Sequence, residues 1–188
     1  MTDIVLFHHA RGLTPGVHAF ADRLRAAGHR VTAPDLFEGR TFATVEDGVA
    51  HVEEIGVDAV VRRGADAVAG LPERVVYAGF SLGAMPAQHL AQTRPGALAV
   101  LLYHGAVPAT AFSPSWPAGV AVQAHVNDED AWGDLGVMRE LVGLVPDAEL
   151  FTYRGSAHLF TDSSLEAYDA DATALVVERS LALLDRWS

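Results

Sequence analysis

Short apolar runs alternate with amphipathic stretches along the whole chain. The runs are rich in β-branched or aromatic residues and predict strands at residues 3–8, 30–33, 74–78, 97–104, 119–126 and 148–153. Glycine and proline stop signals between them predict helices over 16–27, within 45–70, and over 82–93, 131–144 and 164–186. Strands such as Ala97–Tyr103 are apolar throughout, which indicates burial on both faces. The pattern therefore predicts an α/β protein in three layers, with a mostly parallel sheet flanked by helices.

The length of the chain favours one compact domain over residues 1–188, since 188 residues are too few for two ordinary domains and a linker. Two segments break the alternation, 34–48 and 105–118, and both follow a strand. Ligands bind at the carboxyl edge of open α/β sheets, so these segments are candidates to line or partly cover a site. For 105–118, a purely structural loop stiffened by proline is an equal alternative. Neither segment is long enough to form a separate cap domain.

Charge and composition exclude several classes of partner and nucleophile. Acidic residues number 24 and basic ones 13, all of them arginine, and the net charge of −11 argues against nucleic acid or an anionic membrane as the partner. Without cysteine, the chain has no disulfide and no thiolate nucleophile. The N-terminal residues show no basic and apolar leader, and no apolar stretch reaches the length of a membrane span. We therefore expect a cytoplasmic protein, with no membrane as partner.

The motif Gly79-Phe80-Ser81-Leu82-Gly83 lies between the third predicted strand and a predicted helix. Small residues on both sides of a serine allow a sharp, strained turn that lifts the hydroxyl above the carboxyl edge of the sheet. This context predicts the nucleophile elbow of an α/β-hydrolase fold, with Ser81 as nucleophile. The alternative is an ordinary glycine-rich turn whose serine only caps the helix.

A serine nucleophile needs a general base, and the base needs a carboxylate that fixes its tautomer. In this fold the order along the chain is serine, acid, histidine. His158 lies in a small-residue loop after the last predicted strand and is the expected base, whereas His125 lies within a strand and is interpreted as a buried structural histidine. Asp130 is the preferred acid at the end of the preceding strand, with Asp128 as the alternative.

The acidic residues after His158 have a different interpretation. Asp162, Asp169 and Asp171 are expected to be solvated loop charges or charges at a helix N-terminus.

An oxyanion hole requires two backbone N–H groups aimed at the developing negative charge. Leu82 supplies one, and Ala10 or His9, in the loop after the first strand, supplies the other. His8 and His9 do not predict a metal site, because successive strand residues point to opposite faces and no neighbouring carboxylate or thiol completes a ligand set. We expect neither metal nor cofactor. The candidates for lining the substrate pocket are His9, Arg11, Phe37, His104, Trp116 and Phe160.

These segments together resemble the dienelactone hydrolase family of α/β-hydrolases over nearly the whole chain. The resemblance rests on the loop from His8 to Leu13, the segment 33–37, the Ser81 elbow, the segment 123–130 and the loop around His158. It implies a compact hydrolase without a lid, with the acid at Asp130 rather than Asp128 and the base at His158.

Three positions depart from the family pattern. Family members that open dienelactone carry a cysteine where this chain has Ser81, a glutamate where it has His9, and a substrate-holding arginine where it has Asp162. The first two changes fit a conventional serine esterase. At the third, a negative charge is expected to repel a substrate carboxylate, unless an arginine elsewhere, at position 11, 40 or 154, compensates.

The leading hypothesis is a serine hydrolase, monomeric or homodimeric, that cleaves carboxylic esters or lactones of small soluble substrates through an acyl-enzyme. A peptidase or acyltransferase would use the same triad, since pocket shape decides the acceptor. The alternative from another class is a non-catalytic binding protein, in which His9 blocks the oxyanion hole or competes for Ser81.

Overall fold

A computed structural model describes residues 1–187, and a parallel sheet lies at its centre. Within these residues the sheet has six strands in the order β2-β1-β3-β4-β5-β6, and every pairing is parallel. The strands are β1 (Asp3–Phe7), β2 (Arg30–Thr32), β3 (Val75–Phe80), β4 (Ala97–Tyr103), β5 (Ala121–Asn127) and β6 (Glu149–Tyr153). The predicted fold class is confirmed, and each apolar run contributes one strand.

Helices cover both faces of the sheet. They are α1 (Pro15–Ala26), α2 (Val45–Ile55), α3 (Val57–Ala67), α4 (Ala84–Thr93), α5 (Leu135–Leu144) and α6 (Ala170–Leu184). Successive strand residues point to opposite faces, so Val5 and Phe7 of β1 belong to the apolar cluster that includes residues of α2, α3, α4 and α5, while Ile4 and Leu6 belong to the cluster that includes residues of α1 and α6. The continuously apolar strands are therefore buried on both sides, as their sequence predicts.

Three helix predictions differ from the structure. The single helix predicted within 45–70 is two helices, because Gly56 adopts a φ of 86° between them. The helix predicted over 131–144 begins only at Leu135, after Asp134 at a φ of 45°. The helix predicted over 164–186 begins at Ala170, where the Asp169 side chain accepts a hydrogen bond from the Ala172 N–H and caps the first turn.

No helix within residues 1–187 combines the length and the apolar character that crossing a membrane requires.

Candidate active site

Ser81 lies at the carboxyl end of β3, in a single 3₁₀ turn (Ser81–Gly83) that leads into α4. Its φ of 50° is unusual for a residue other than glycine and marks a strained turn. The glycines are required by close approach, since a Cβ on Gly79 would lie 2.1 Å from the Gly83 carbonyl oxygen, and one on Gly83 would lie 2.5 Å from the Phe7 carbonyl oxygen. The chain therefore packs tightly against itself on both sides of the serine.

The structure brings Ser81, His158 and Asp130 into one chain of hydrogen bonds. Ser81 Oγ lies 2.9 Å from His158 Nε2, and His158 Nδ1 lies 2.7 Å from Asp130 Oδ2. An ionised carboxylate only accepts, so the imidazole proton lies on Nδ1 and Nε2 accepts from the serine hydroxyl. The Asp130 side chain is fully buried, and its other oxygen accepts from the Trp132 N–H at 2.9 Å. The arrangement can move a proton from Ser81 to His158 while Asp130 holds the ring in place.

Asp128, the alternative acid, contacts a different group. Its Oδ1 accepts a hydrogen bond from the Gly155 N–H at 3.0 Å, and the residue is exposed. It therefore stabilises the turn after β6, whereas Asp130 contacts His158.

In the loop after β1, the Ala10 N–H is a candidate oxyanion donor. The His9 carbonyl accepts hydrogen bonds from the Gly12 N–H at 3.0 Å and from His8 Nδ1 at 2.8 Å. Because a trans peptide is planar, the Ala10 N–H points away from that carbonyl and its two donors. Within residues 1–187 it meets no protein acceptor. Leu82 directly follows the serine in the 3₁₀ turn.

His8 is a structural part of this loop. Its Nε2 accepts from the Leu36 N–H at 2.9 Å, while its Nδ1 donates to the His9 carbonyl. Burial lowers the pKa of His8 to about 4, so the ring is neutral at pH 7 and can make both hydrogen bonds.

The expectation that Asp162 is a solvated charge is wrong. Only 3% of the residue is exposed, and His9 Nε2 donates to its Oδ2 at 2.8 Å. Burial alone would raise the pKa of Asp162, but hydrogen bonds from His9, Ser164 and Thr14 outweigh it and hold the pKa well below its ordinary value. Burial lowers the pKa of His9, so the pair is a neutral imidazole that donates to a carboxylate. Asp162 therefore lies behind the loop, outside the cavity that contains His158.

Arg11 shares a cavity of about 400 Å³ with His158. Its Nε donates to the Phe42 carbonyl at 3.0 Å, which joins the loop after β1 to the 34–48 segment. Of the arginines expected to compensate at positions 11, 40 and 154, Arg11 is the one that lines this cavity. The other lining residues are Val45, Leu159, Leu165, Glu166 and Ala167.

Two of the predicted pocket residues lie beneath the base. The His104 ring is fully buried, with its centroid 5.9 Å from the His158 ring and 4.6 Å from the Phe160 ring. Its Nε2 lies 2.7 Å from Thr161 Oγ1, and burial holds the pKa of His104 well below its ordinary value. His104 and Phe160 therefore support the His158 loop from inside the core rather than line the cavity.

Phe37 and Trp116 lie away from the cavity that contains His158, and their predicted place beside the substrate is not supported. Phe37 is buried against the rings of His8 and His51 and lines a different cavity of about 320 Å³.

Trp116 donates from Nε1 to the Val120 carbonyl at 2.8 Å, just before the amino end of β5. The segment 105–118 starts at the carboxyl edge, but it must cross to the opposite edge because β5 is parallel to β4. Its second half therefore leaves the site.

His125 has the structural surroundings expected of a core histidine. It is fully buried and lies 2.8 Å from the Tyr153 hydroxyl through Nδ1 and 2.9 Å from Gln123 Oε1 through Nε2. Burial lowers the pKa of His125 to about 3. Among residues 1–187, no three histidine, aspartate or glutamate side chains are grouped so that they could hold a metal ion.

The sequence analysis missed two features of the site. The first is the hydrogen-bonded group around Asp162, whose sequence signal is the Asp-x-Ser spacing in Thr161-Asp162-Ser163-Ser164, typical of a side chain that bonds to its own turn. The second is Gly105, where a Cβ would lie 3.1 Å from Ser81 Cα. No sequence signal distinguishes that glycine from the others.

Comparisons with known proteins agree with the fold. A sequence model described as the dienelactone hydrolase family matches residues 1–188. A pyrethroid hydrolase of Sphingobium wenxiniae is 36% identical over 107 residues, which are 57% of this chain and 36% of that protein. The match thus spans well under half the length of that curated relative.

Two solved structures illustrate the structural similarity. A dienelactone hydrolase of Anabaena variabilis has a TM-score of 0.69 at 19% identity, covering 98% of this chain and 86% of that one. A dienelactone hydrolase-like promiscuous phosphotriesterase from metagenomic libraries has a TM-score of 0.75 at 20% identity, covering 99% and 86%. At these identities the similarity establishes the fold alone.

Proposed function

This chain belongs to the dienelactone hydrolase family, as its motifs predict, and from that premise we propose that it is a serine hydrolase that cleaves carboxylic esters or lactones of small substrates through an acyl-enzyme. The observation that carries the proposal is the unbroken hydrogen-bonded chain from Ser81 through His158 to Asp130. A serine hydroxyl is weakly nucleophilic at neutral pH, and this arrangement is the means by which hydrolases activate it.

In the first half of the proposed reaction, Ser81 Oγ attacks the carbonyl carbon while its proton passes to His158 Nε2. Asp130 stabilises the resulting imidazolium through Nδ1. The N–H groups of Leu82 and Ala10 hold the tetrahedral oxyanion, and each such donor contributes about 10²–10³-fold to kcat. The imidazolium then protonates the leaving alkoxide oxygen as the bond between that oxygen and the carbonyl carbon breaks. The alcohol departs, and the acyl group remains attached to Ser81 Oγ.

The second half repeats these steps with water. His158 Nε2 takes a proton from a water molecule, whose oxygen attacks the acyl carbon. A second tetrahedral oxyanion forms in the same place and collapses, and His158 returns the proton to Ser81 Oγ. The products are the carboxylic acid and the free enzyme, and for a lactone both functional groups remain in one molecule.

The size and charge of the cavity favour small substrates. A volume of about 400 Å³ lies in the range of small-molecule sites, and its walls combine apolar Val45, Leu159 and Leu165 with charged Arg11 and Glu166. The name of the pyrethroid hydrolase relative supports hydrolysis as the class of reaction. Asp162 lies outside this cavity and is hydrogen-bonded to His9, so it makes no direct contact with a substrate held in the cavity.

The contacts of His9 argue against a non-catalytic binding protein. That alternative requires His9 to block the oxyanion hole or to compete for Ser81. Both ring nitrogens are occupied elsewhere, Nε2 by Asp162 at 2.8 Å and Nδ1 by the Arg11 N–H at 3.2 Å. A peptidase or acyltransferase remains a second candidate for the same three side chains, and it is separated from an esterase by comparing ester, amide and alcohol-acceptor turnover.

The test is intact-mass spectrometry after exposure to a small fluorophosphonate, followed by kinetics with short esters and lactones. The wild type should carry one adduct, which Ser81→Ala and His158→Ala abolish. Ser115→Ala is the matched control, because this exposed serine lies outside the cavity that contains His158 and should leave labelling unchanged. A folded wild type that gains no adduct, or a Ser81→Ala variant that still does, would refute the proposal.

A further inference from the structure

A buried carboxylate behind the site accepts hydrogen bonds from three separate segments of the chain. Asp162 Oδ2 accepts from His9 Nε2 at 2.8 Å and from Thr14 Oγ1 at 2.5 Å. Its Oδ1 accepts from the Ser164 N–H at 2.8 Å and from Ser164 Oγ at 2.6 Å. One side chain thus joins the loop after β1, the first turn of α1 and the loop that follows His158.

These contacts reach the Ala10 N–H through the His9 ring. Because Asp162 takes the Nε2 proton, His9 Nδ1 is left as an acceptor, and it receives the Arg11 N–H at 3.2 Å. The peptides on both sides of Ala10 are then fixed, one by the Arg11 N–H and the other by the Gly12 and His8 donors on the His9 carbonyl. Thr14 caps α1 by accepting from the Val17 N–H, so the far end of the loop is held by the same carboxylate.

We infer that Asp162 is a positioning residue for the oxyanion hole, which acts through the His9 ring to hold the Ala10 N–H towards the reacting carbonyl. The inference rests on the proposed function, and it assigns to the His9 and Asp162 pair a role in the transition state rather than in substrate binding. Neither side chain lines the cavity that contains His158, so a change in either removes no direct contact with a substrate.

The carboxylate cannot be replaced by an amide of the same shape. In Asp162→Asn, one oxygen becomes an NH₂ group, which faces donors in either orientation of the amide. Turned towards His9, it forces the proton onto Nδ1, and that nitrogen then repels the Arg11 N–H. Turned towards Ser164, it meets the Ser164 N–H, which is itself a donor and cannot accept a hydrogen bond. Either orientation disturbs the loop that carries Ala10.

Two variants of His9 separate its two hydrogen bonds. His9→Gln keeps a donor near the position of Nε2 but loses the acceptor for the Arg11 N–H. His9→Asn keeps an acceptor near the position of Nδ1 but loses the donor to Asp162. The matched control is Asp169→Asn on the same loop, where the aspartate caps α6 and lies outside the cavity that contains His158.

The experiment measures kcat and KM for a short ester, and the affinity for a trifluoromethyl ketone that adds to the serine and forms an oxyanion. We expect Asp162→Asn and both His9 variants to lower kcat by about 10–100-fold, part of the 10²–10³-fold effect of losing one donor. The affinity for the ketone should fall in parallel, while KM stays within about threefold. Asp169→Asn keeps a side-chain oxygen that can cap α6, so it should leave both kcat and the melting temperature nearly unchanged.

The outcomes distinguish the two proposals. If the wild type forms no fluorophosphonate adduct and hydrolyses no ester, the proposed function fails first. If the wild type is active and the folded variants at positions 9 and 162 keep kcat and ketone affinity within about threefold, only the positioning role is overturned. A rise in KM at constant kcat would also overturn it, because that pattern belongs to substrate binding. Should Asp162→Asn not fold, the two His9 variants decide the question.

Discussion

Replacement of Gly79 by alanine is expected to inactivate the protein through a displacement that can be worked out from the structure. The added Cβ would lie 2.1 Å from the Gly83 carbonyl oxygen, 2.3 Å from the Gly83 carbonyl carbon and 2.7 Å from the Ala84 nitrogen. Real Cβ contacts essentially never fall below 3.0 Å, so the backbone must separate by at least 3.0 − 2.1 = 0.9 Å. All three contacts are to backbone atoms, so rotation of a side chain cannot relieve them.

The movement falls on the turn rather than on the strand. Gly79 lies in β3, which is hydrogen-bonded to β1 and β4 on its two sides, whereas the turn Ser81–Gly83 lies beyond the paired residues of the sheet. The turn carries both Ser81 and the Leu82 N–H. A shift of 0.9 Å is large enough to break the 2.9 Å hydrogen bond between Ser81 Oγ and His158 Nε2.

The expected magnitude is a loss of at least about 100-fold in kcat, since a misplacement of about 1 Å costs about that much. Overpacking of this kind costs about 1–3 kcal/mol of unfolding free energy, so the variant should stay folded with a lower melting temperature. The assay is initial-rate hydrolysis of a short ester, with circular dichroism and thermal denaturation to establish folding.

Two other glycines provide a graded comparison. A Cβ on Gly105 would lie 3.1 Å from Ser81 Cα, which requires a shift of only a few tenths of an ångström, so Gly105→Ala should lose less activity. A Cβ on Gly143, in α5, would meet nothing within 4 Å, so Gly143→Ala should keep full activity and gain about 1 kcal/mol of stability. A folded Gly79→Ala variant with kcat within about threefold of the wild type would refute the reasoning.

Four further predictions concern individual side chains. Asp130→Asn should lower kcat by about 10³–10⁴-fold, because it loses the carboxylate that fixes the His158 tautomer. Asp128→Asn should change kcat by about twofold at most. Steady-state kinetics of both variants tests which aspartate is the acid. The folded pKa of Asp162 lies below its ordinary value of 3.8, so its contribution to stability is present above that pH and is lost as the pH falls towards the folded pKa. In urea unfolding between pH 7 and pH 3, the difference in unfolding free energy between the wild type and Asp162→Asn should therefore narrow below about pH 4, and a gap that widens would contradict the assignment. Arg11→Gln should raise KM for an ester that carries a carboxylate about fivefold relative to a matched neutral ester, since an exposed charge pair contributes about 1 kcal/mol. Equal effects on the two esters would show that Arg11 does not bind the substrate carboxylate. Trp116→Ala should lower the unfolding free energy by about 1–3 kcal/mol while KM stays unchanged, and a raised KM would return this residue to the pocket.

The fold could be predicted from the sequence because its signals are local. Each strand is a single apolar run, and parallel pairing follows from burial on both faces. The break at Gly56 also had a local signal, a glycine between two apolar residues, but the periodicity of α2 continues into α3 and concealed it. The late start of α6 depended on which of several polar residues acts as the cap, and that choice is made by tertiary contacts.

The site was predictable where chain order determines position and unpredictable where a contact joins distant segments. Ser81, Asp130 and His158 each follow a strand at the carboxyl edge, so chain order alone brings them together. Asp162 contacts His9, which lies 153 positions away in the sequence, and no local sequence pattern around either residue predicts this contact. The prediction that Trp116 lines the pocket was not supported for a different reason. The segment 105–118 starts at the carboxyl edge of the sheet, near the site, but it ends at the opposite edge, where Trp116 lies.

The contact between His9 and Asp162 joins two of the positions at which this chain departs from the family pattern. Changing one position alone can leave the other buried group without its hydrogen-bond partner, which costs about 1–3 kcal/mol. When this site is engineered, positions 9 and 162 should therefore be varied as a pair. A library that varies them jointly is expected to contain more stably folded members than one that varies them independently.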